Sequence, residues 1–61
     1  MKIIKFTRTD GSPLYLVAEN VDHFVLPDHD DNPSTKTLIW TGYSRHDVLE
    51  EIQDVLQMLS K

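Results

Sequence analysis

Apolar residues recur at helical spacing in the last third of the chain. They are Val48, Leu49, Ile52, Val55, Leu56 and Leu59. This spacing predicts an amphipathic helix over residues 45–59, with the apolar side chains in one stripe. Ser44 stands just before it, where its hydroxyl can accept a hydrogen bond from the amide of Asp47 and act as the N-cap. Because such a helix is not stable alone, its stripe must cover the apolar face of another element.

β-forming residues dominate the rest of the chain, and turn-forming residues divide them into segments. Four strands are predicted, over residues 2–8, 13–17, 21–26 and 35–41. Pro27 ends the third strand because proline has no amide hydrogen for a sheet, and Gly42 allows a turn after the fourth. The sequence therefore predicts one α+β domain over residues 1–61, in which a four-stranded, largely antiparallel sheet carries the helix on one face in the order β-β-β-β-α.

The first two strands are expected to form a hairpin whose register follows from their apolar residues. A three-residue loop over 9–11, with its glycine in the left-handed conformation, pairs Phe6 with Leu14 and Ile4 with Leu16. A two-residue turn would shift the register and mix polar with apolar residues on each face. The longer loop is favoured, and the helix stripe should lie on the face that these four residues share.

The opposite face of the predicted sheet is also apolar. Ile3, Tyr15 and Val17 lie there, and either Ile39 or Trp40 must join them. One helix cannot cover both faces, so we expect Ile3, Tyr15, Val17 and Trp40 to contact a second copy of the chain or another protein. The alternative is a scatter of ordinary exposed apolar residues, since folded surfaces are normally more than half apolar.

Length and composition narrow the class of protein. A chain of 61 residues buries only about 60% of its unfolded surface and is marginally stable alone. It contains no cysteine, which excludes disulfides and thiolate metal sites and suits a reducing cytoplasm. No apolar run near the N-terminus is long enough for a signal peptide or a membrane span. We therefore expect a soluble cytoplasmic protein.

The charges disfavour nucleic-acid binding. The formal net charge is −4, and the cations Lys2, Lys5 and Arg8 on the first strand are too few for a basic stripe on an acidic protein.

Acidic residues repeat at helical spacing within the predicted helix. Asp47, Glu50, Glu51 and Asp54 follow the pattern i, i+3, i+4, i+7 and would form an acidic ridge beside the apolar stripe. A solvated face is the usual explanation. The alternative is an inhibitor-type protein that docks a basic partner through this ridge.

The segment Asp28-His29-Asp30-Asp31-Asn32 is the densest group of candidate metal ligands. A calcium loop with this spacing would need a following glycine and a glutamate, but Pro33 and Ile39 occupy those places. Asx-type hydrogen bonds in a solvated loop explain the same residues. A metal-binding module is therefore a second alternative, and no cofactor is predicted.

No pattern of residues indicates catalysis. The serines lie in no nucleophile elbow, and the adjacent Glu50 and Glu51 would diverge by about 100° on a helix. His23, His29 and His46 show no spacing that makes them converge on a metal. A fold of this size also has little interior for a pocket that excludes water. We expect a protein that is not an enzyme.

One part of the sequence resembles a known family. The run Phe-Thr-Arg-Thr-Asp-Gly-Ser-Pro-Leu-Tyr-Leu over 6–16, followed by 21–25 and Thr37-Leu38-Ile39, resembles the FlbD family of small bacterial flagellar proteins, over residues 4–42 in all. Members have a Thr-Arg-x-Asp/Asn-Gly hairpin leading to a Tyr-Leu or Tyr-Ile strand. They usually have a further strand after the second glycine turn, whereas here Gly42-Tyr43 is expected to lead directly into the Ser44 cap. The resemblance implies a regulatory or accessory protein that acts through contacts, with no catalytic residue.

Together these patterns predict a small, non-catalytic, intracellular module for protein interaction, accessory or regulatory in role. Its partner is expected to be a protein or a second copy of itself, with no direct binding to nucleic acid or membrane. A homo-oligomer is the favoured form.

Overall fold

The structure is a computed structural model, and it describes residues 1–60. Its elements are β1 (Ile3–Thr7), β2 (Pro13–Val17), a 3₁₀ turn (Ala18–Asn20), β3 (His23–Val25), β4 (Thr37–Thr41), β5 (Ser44–Val48) and α1 (Ile52–Ser60). The predicted α+β class with a C-terminal helix is confirmed. The single four-stranded sheet is wrong, because the strands form a two-stranded sheet, β1–β2, and a three-stranded sheet in the order β3–β4–β5. Residue 61, the last of the predicted domain, lies outside the described residues.

The β1–β2 hairpin has the predicted register. Phe6 pairs with Leu14 and Ile4 with Leu16. The Arg8 amide donates to the Ser12 carbonyl at 2.8 Å, which closes the three-residue loop. The glycine of that loop has φ of +91°, the left-handed region that only glycine enters without strain. Hydrophobic matching and one glycine were sufficient to predict this hairpin.

The second sheet contains a strand, β5, that replaces the predicted start of the helix. Gly42 has φ of +64°, and Thr41 pairs with Ser44 across a two-residue turn of Gly42 and Tyr43. Positive φ at the first turn residue alone is typical of a type II′ hairpin turn, which aligns β5 antiparallel to β4. Ser44 is therefore the first residue of a strand and not a helix cap. A strand after the second glycine turn is also the element that the FlbD family usually has.

Helix α1 is shorter than predicted and begins at Ile52. The Val55 amide donates to the Glu51 carbonyl at 3.0 Å, the first bond of the helix. At the other end, the Lys2 Nζ donates to the Met58 carbonyl at 2.6 Å, which places a cation at the negative end of the helix dipole. Leu56 was assigned to the apolar stripe but is 54% exposed.

One hydrophobic core joins the inner face of the hairpin, the second sheet and the helix. Its buried members are Ile4, Phe6, Leu14, Leu16, Ile39, Val48 and Val55, with Met58 and Leu59 partly buried against them. The prediction that the helix covers the face of the hairpin that carries Phe6 is therefore confirmed. Val48 belongs to the core from β5 and not from the helix, and Phe6, Ile39, Val48 and Val55 are completely buried.

The two sheets meet where β1 passes the end of β5. Arg8 and Val48 form an isolated antiparallel bridge, and the Leu49 amide donates to the Thr7 carbonyl at 2.9 Å. The carboxylate of Glu50 then holds β1, because the Thr7 amide donates to Oε1 at 2.9 Å and the Thr7 hydroxyl donates to Oε2 at 3.0 Å. The hydroxyl of Thr37, on β4, donates to the Glu50 carbonyl at 2.7 Å. Glu50 thus ties both sheets to the segment that leads into α1.

No helix in the described part of the chain is long and apolar enough to cross a bilayer.

Glu50→Gln is expected to lower the free energy of unfolding by about 1–2 kcal/mol, because an amide cannot accept from both Thr7 donors as a carboxylate does. Urea denaturation measures this change. Glu51→Gln is the matched control, since Glu51 is the exposed neighbour and its side chain has no hydrogen bond within residues 1–60. Equal stabilities of the two variants would contradict the role assigned to Glu50.

Candidate functional site

The outer face of the β1–β2 hairpin is an apolar surface that the core leaves uncovered. It consists of the odd-numbered residues of the two strands, Ile3, Lys5, Tyr15 and Val17, and is called the hairpin outer face below. Successive strand residues point to opposite faces, so these side chains point away from the core that contains Ile4 and Leu16. Ile3 is 58% exposed and Tyr15 is 62% exposed, while Val17 is half-buried. The prediction that Ile3, Tyr15 and Val17 share one face of the hairpin is therefore correct.

Trp40 was predicted to join this face, and the structure places it elsewhere. It lies on β4 of the second sheet, pairs with His23 of β3, and stacks on that imidazole with ring centroids 5.6 Å apart and planes 15° apart. Trp40 thus belongs to the three-stranded sheet, whereas Tyr15 belongs to the two-stranded one. The predicted patch is therefore two separate features.

The predicted acidic ridge on the helix is wrong in its geometry. Of its members only Asp54 lies in α1, while Asp47 belongs to β5 and Glu50 and Glu51 precede the helix. The reason is that β5 extends through Val48, so these four residues never share one helical turn. Asp47 and Glu50 are also engaged within the fold, which leaves Glu51 and Asp54 as the exposed carboxylates of the set.

Asp47 is at the centre of a polar network on β5. It accepts two hydrogen bonds from the Arg45 guanidinium, at 3.1 and 3.2 Å, and one from the hydroxyl of the buried Thr35 at 3.0 Å. Arg45 also donates to Asp31 at 2.9 Å. The hydrogen bonds from Arg45, and after them the one from Thr35, lower the pKa of Asp47 below its ordinary value of 3.8. In turn, the carboxylates of Asp47 and Asp31 raise the pKa of Arg45. The network attaches the 28–36 loop to β5.

The acidic loop is organised by hydrogen bonds within the protein. The Asp28 amide donates to the Asp31 carboxylate at 2.8 Å, and the Asp31 amide donates to the Asp28 carbonyl at 3.1 Å. His29 and Asp30 point outward, with side chains 93% and 90% exposed. Within residues 1–60 no group of three or more His, Asp or Glu side chains is placed to share a metal ion.

A surface cavity of about 260 Å³ lies between the hairpin loop and β5, and sequence reasoning did not find it. Arg8 and Thr9 line one side, and Arg45, His46 and Asp47 line the other. It exists because β1 contacts β5 at one bridge and then turns away, so no pattern in either strand alone indicates it. Cations and carboxylates both line the cavity, so it favours neither sign of ligand.

The nearest approach to a catalytic pair lies on the inner side of the second sheet. The Thr41 hydroxyl and His46 Nε2 are 2.9 Å apart, as a nucleophile and its base would be. Within the described residues His46 Nδ1 has no hydrogen-bond partner to orient the ring. The pair is accounted for as a cross-strand hydrogen bond near the β4–β5 turn.

No family model, curated protein or solved structure matches this chain. The resemblance to the FlbD family therefore stays a prediction.

Asp47→Asn is expected to reduce the dependence of stability on acid. Because the pKa of Asp47 is lowered in the folded protein, the ionised carboxylate contributes fully to the free energy of unfolding above pH 3.8. This contribution is lost as the pH falls below that value. The unfolding free energy of the natural chain should therefore fall more steeply below pH 3.8 than that of the variant. Chemical denaturation at a series of pH values measures both slopes. Asp30→Asn, at a carboxylate that is 90% exposed, is the control and should keep the natural slope.

Proposed function

We propose that this chain is a small, non-catalytic interaction module of the cell interior, accessory or regulatory in role, and that it self-associates through the hairpin outer face. The observation that carries the proposal is the exposure of both Ile3 and Tyr15 on the sheet face opposite the helix. Large apolar side chains grouped on a surface are typical of sites that bind another protein.

The size of the chain supports association. A core built from 61 residues leaves little stability in reserve, and domains of this size usually gain more from disulfides, metals or oligomers. With no cysteine in the sequence, the first of these is excluded. Burying the hairpin outer face against a partner would supply the missing apolar contact, which favours self-association as the source of additional stability.

The other two functions have less support. Docking through an acidic ridge would depend on Glu51 and Asp54 alone, because Asp47 and Glu50 hold the fold together. Metal binding through Asp31 of the 28–32 loop would have to break the bonds that this carboxylate makes to Arg45 and to the Asp28 amide. An accessory role that works through contacts is also what the resemblance to the FlbD family implies.

Tyr15→Lys is expected to weaken self-association by about tenfold or more, because it places a charge on the apolar face without removing a core contact. Sedimentation equilibrium over a wide range of concentrations measures the dissociation constant. Tyr43→Lys is the matched control, since Tyr43 is a fully exposed tyrosine in the β4–β5 turn.

Two results would contradict the proposal. One is a natural chain that stays monomeric and captures no partner through this face. The other is an equal effect of the two lysine substitutions, which would attribute the change to net charge and not to the hairpin outer face.

A further inference from the structure

β2 is a free edge strand with unpaired backbone groups. The Ala18 amide donates to the Lys2 carbonyl and the Arg8 amide donates to the Ser12 carbonyl, both at 2.8 Å. Because hydrogen-bonded and non-hydrogen-bonded pairs alternate along an antiparallel ladder, Leu14 and Leu16 lie in the hydrogen-bonded pairs with β1. The backbone groups of the alternate residues therefore point away from β1. Within the described chain no backbone partner meets the amides of Tyr15 and Val17 or the carbonyl of Tyr15.

We propose that β2 pairs antiparallel with β2 of a second copy about a two-fold axis at Tyr15, so that two hairpins form one continuous four-stranded sheet. This inference rests on the proposed function and specifies how the two copies meet. An exposed strand edge without charges is a ready template for another strand, and two-fold pairing requires the antiparallel direction.

The hydrogen-bonding groups of this edge complement themselves in one register. With Tyr15 opposite Tyr15 of the second copy, the two residues exchange both amide-to-carbonyl bonds. Val17 then faces Pro13, and its amide can donate to the Pro13 carbonyl. Pro13 has no amide hydrogen to offer in return, and the Val17 carbonyl lies at the end of the strand, where the chain turns into Ala18–Asn20. No donor or acceptor of the edge is left opposite a group of the same kind.

Shifting the register so that Tyr15 faces Val17 is less favourable. Pro13 would then lie against the turn Ala18–Asn20, where the strand has already ended. The proposed register also places the two Tyr15 rings side by side on the hairpin outer face, where cross-strand aromatic pairs stabilise a sheet.

The edge at β3 lacks these properties. β3 has only three residues, His23–Val25, and follows Asp22 directly. Antiparallel pairing of two such short edges would bring two Asp22 carboxylates near each other in a protein whose net charge is −4. β2 contains no charged residue, so a second copy can approach it without that repulsion.

Val17→Pro separates strand pairing from simple contact between faces. Val17 has φ of −80°, which proline adopts without strain, and its amide is not used within the monomer. The variant should keep the monomer fold and weaken the dimer about tenfold or more, because it removes the donor and adds a ring at the edge. Val17→Ala keeps the amide and should change the dissociation constant by less than about threefold. Sedimentation measures both constants, and circular dichroism confirms the fold.

Equal dissociation constants for the proline and alanine variants would overturn edge pairing. If Tyr15→Lys still weakened association in that case, the proposed function would stand and only the pairing mode would fail. A natural chain that remains monomeric up to about 1 mM would overturn pairing with a second copy. Hydrogen exchange gives an independent readout, since protection of the Tyr15 and Val17 amides should rise with protein concentration while that of Phe24, on the β3 edge, should not.

Discussion

The structure depends on the junction between β1 and the segment that follows β5. A single bridge, Arg8 to Val48, and one backbone bond from Leu49 to Thr7 connect the two sheets there. The carboxylate of Glu50 strengthens this narrow contact by accepting both donors of Thr7. Because α1 begins two residues later, the same junction brings the helix over the inner face of the hairpin. Core, sheet order and helix position therefore follow from one group of polar contacts beside the completely buried Val48.

The junction also decides which surfaces remain available. It uses the Thr7 end of the β1 edge, whereas the edge of β2 stays open along its length. The helix covers the inner face, so Ile3 and Tyr15 remain outside. Three of the carboxylates that looked like a surface feature are used within the fold, because Asp31 and Asp47 bind Arg45 and Glu50 binds Thr7. The proposed self-association therefore rests on the apolar hairpin and not on the acidic residues.

Features that depend on residues close together in the sequence were predicted, and features that depend on distant residues were not. The hairpin was predicted to the register, because Phe6 and Leu14 must share a face and the loop contains a glycine able to adopt positive φ. β5 was missed because its residues are mostly polar, and because Val48, Leu49 and Ile52 continue the helical spacing of α1 backwards into it. A glycine followed by one residue between Thr41 and Ser44 was the available signal, since a glycine at the first position of a two-residue turn favours a hairpin.

By itself the sequence determined the α+β class, the hairpin and its two faces, and an amphipathic helix at the C-terminal end, because each depends on residues that are close along the chain. Only the tertiary structure decided that the strands divide into two sheets and that Trp40 stacks on His23 in the sheet that does not contain Tyr15. It also decided that Glu50 binds Thr7 instead of facing solvent. These features join residues 17 to 43 positions apart. Such contacts depend on the relative placement of whole elements, and no local spacing of apolar and polar residues specifies that placement.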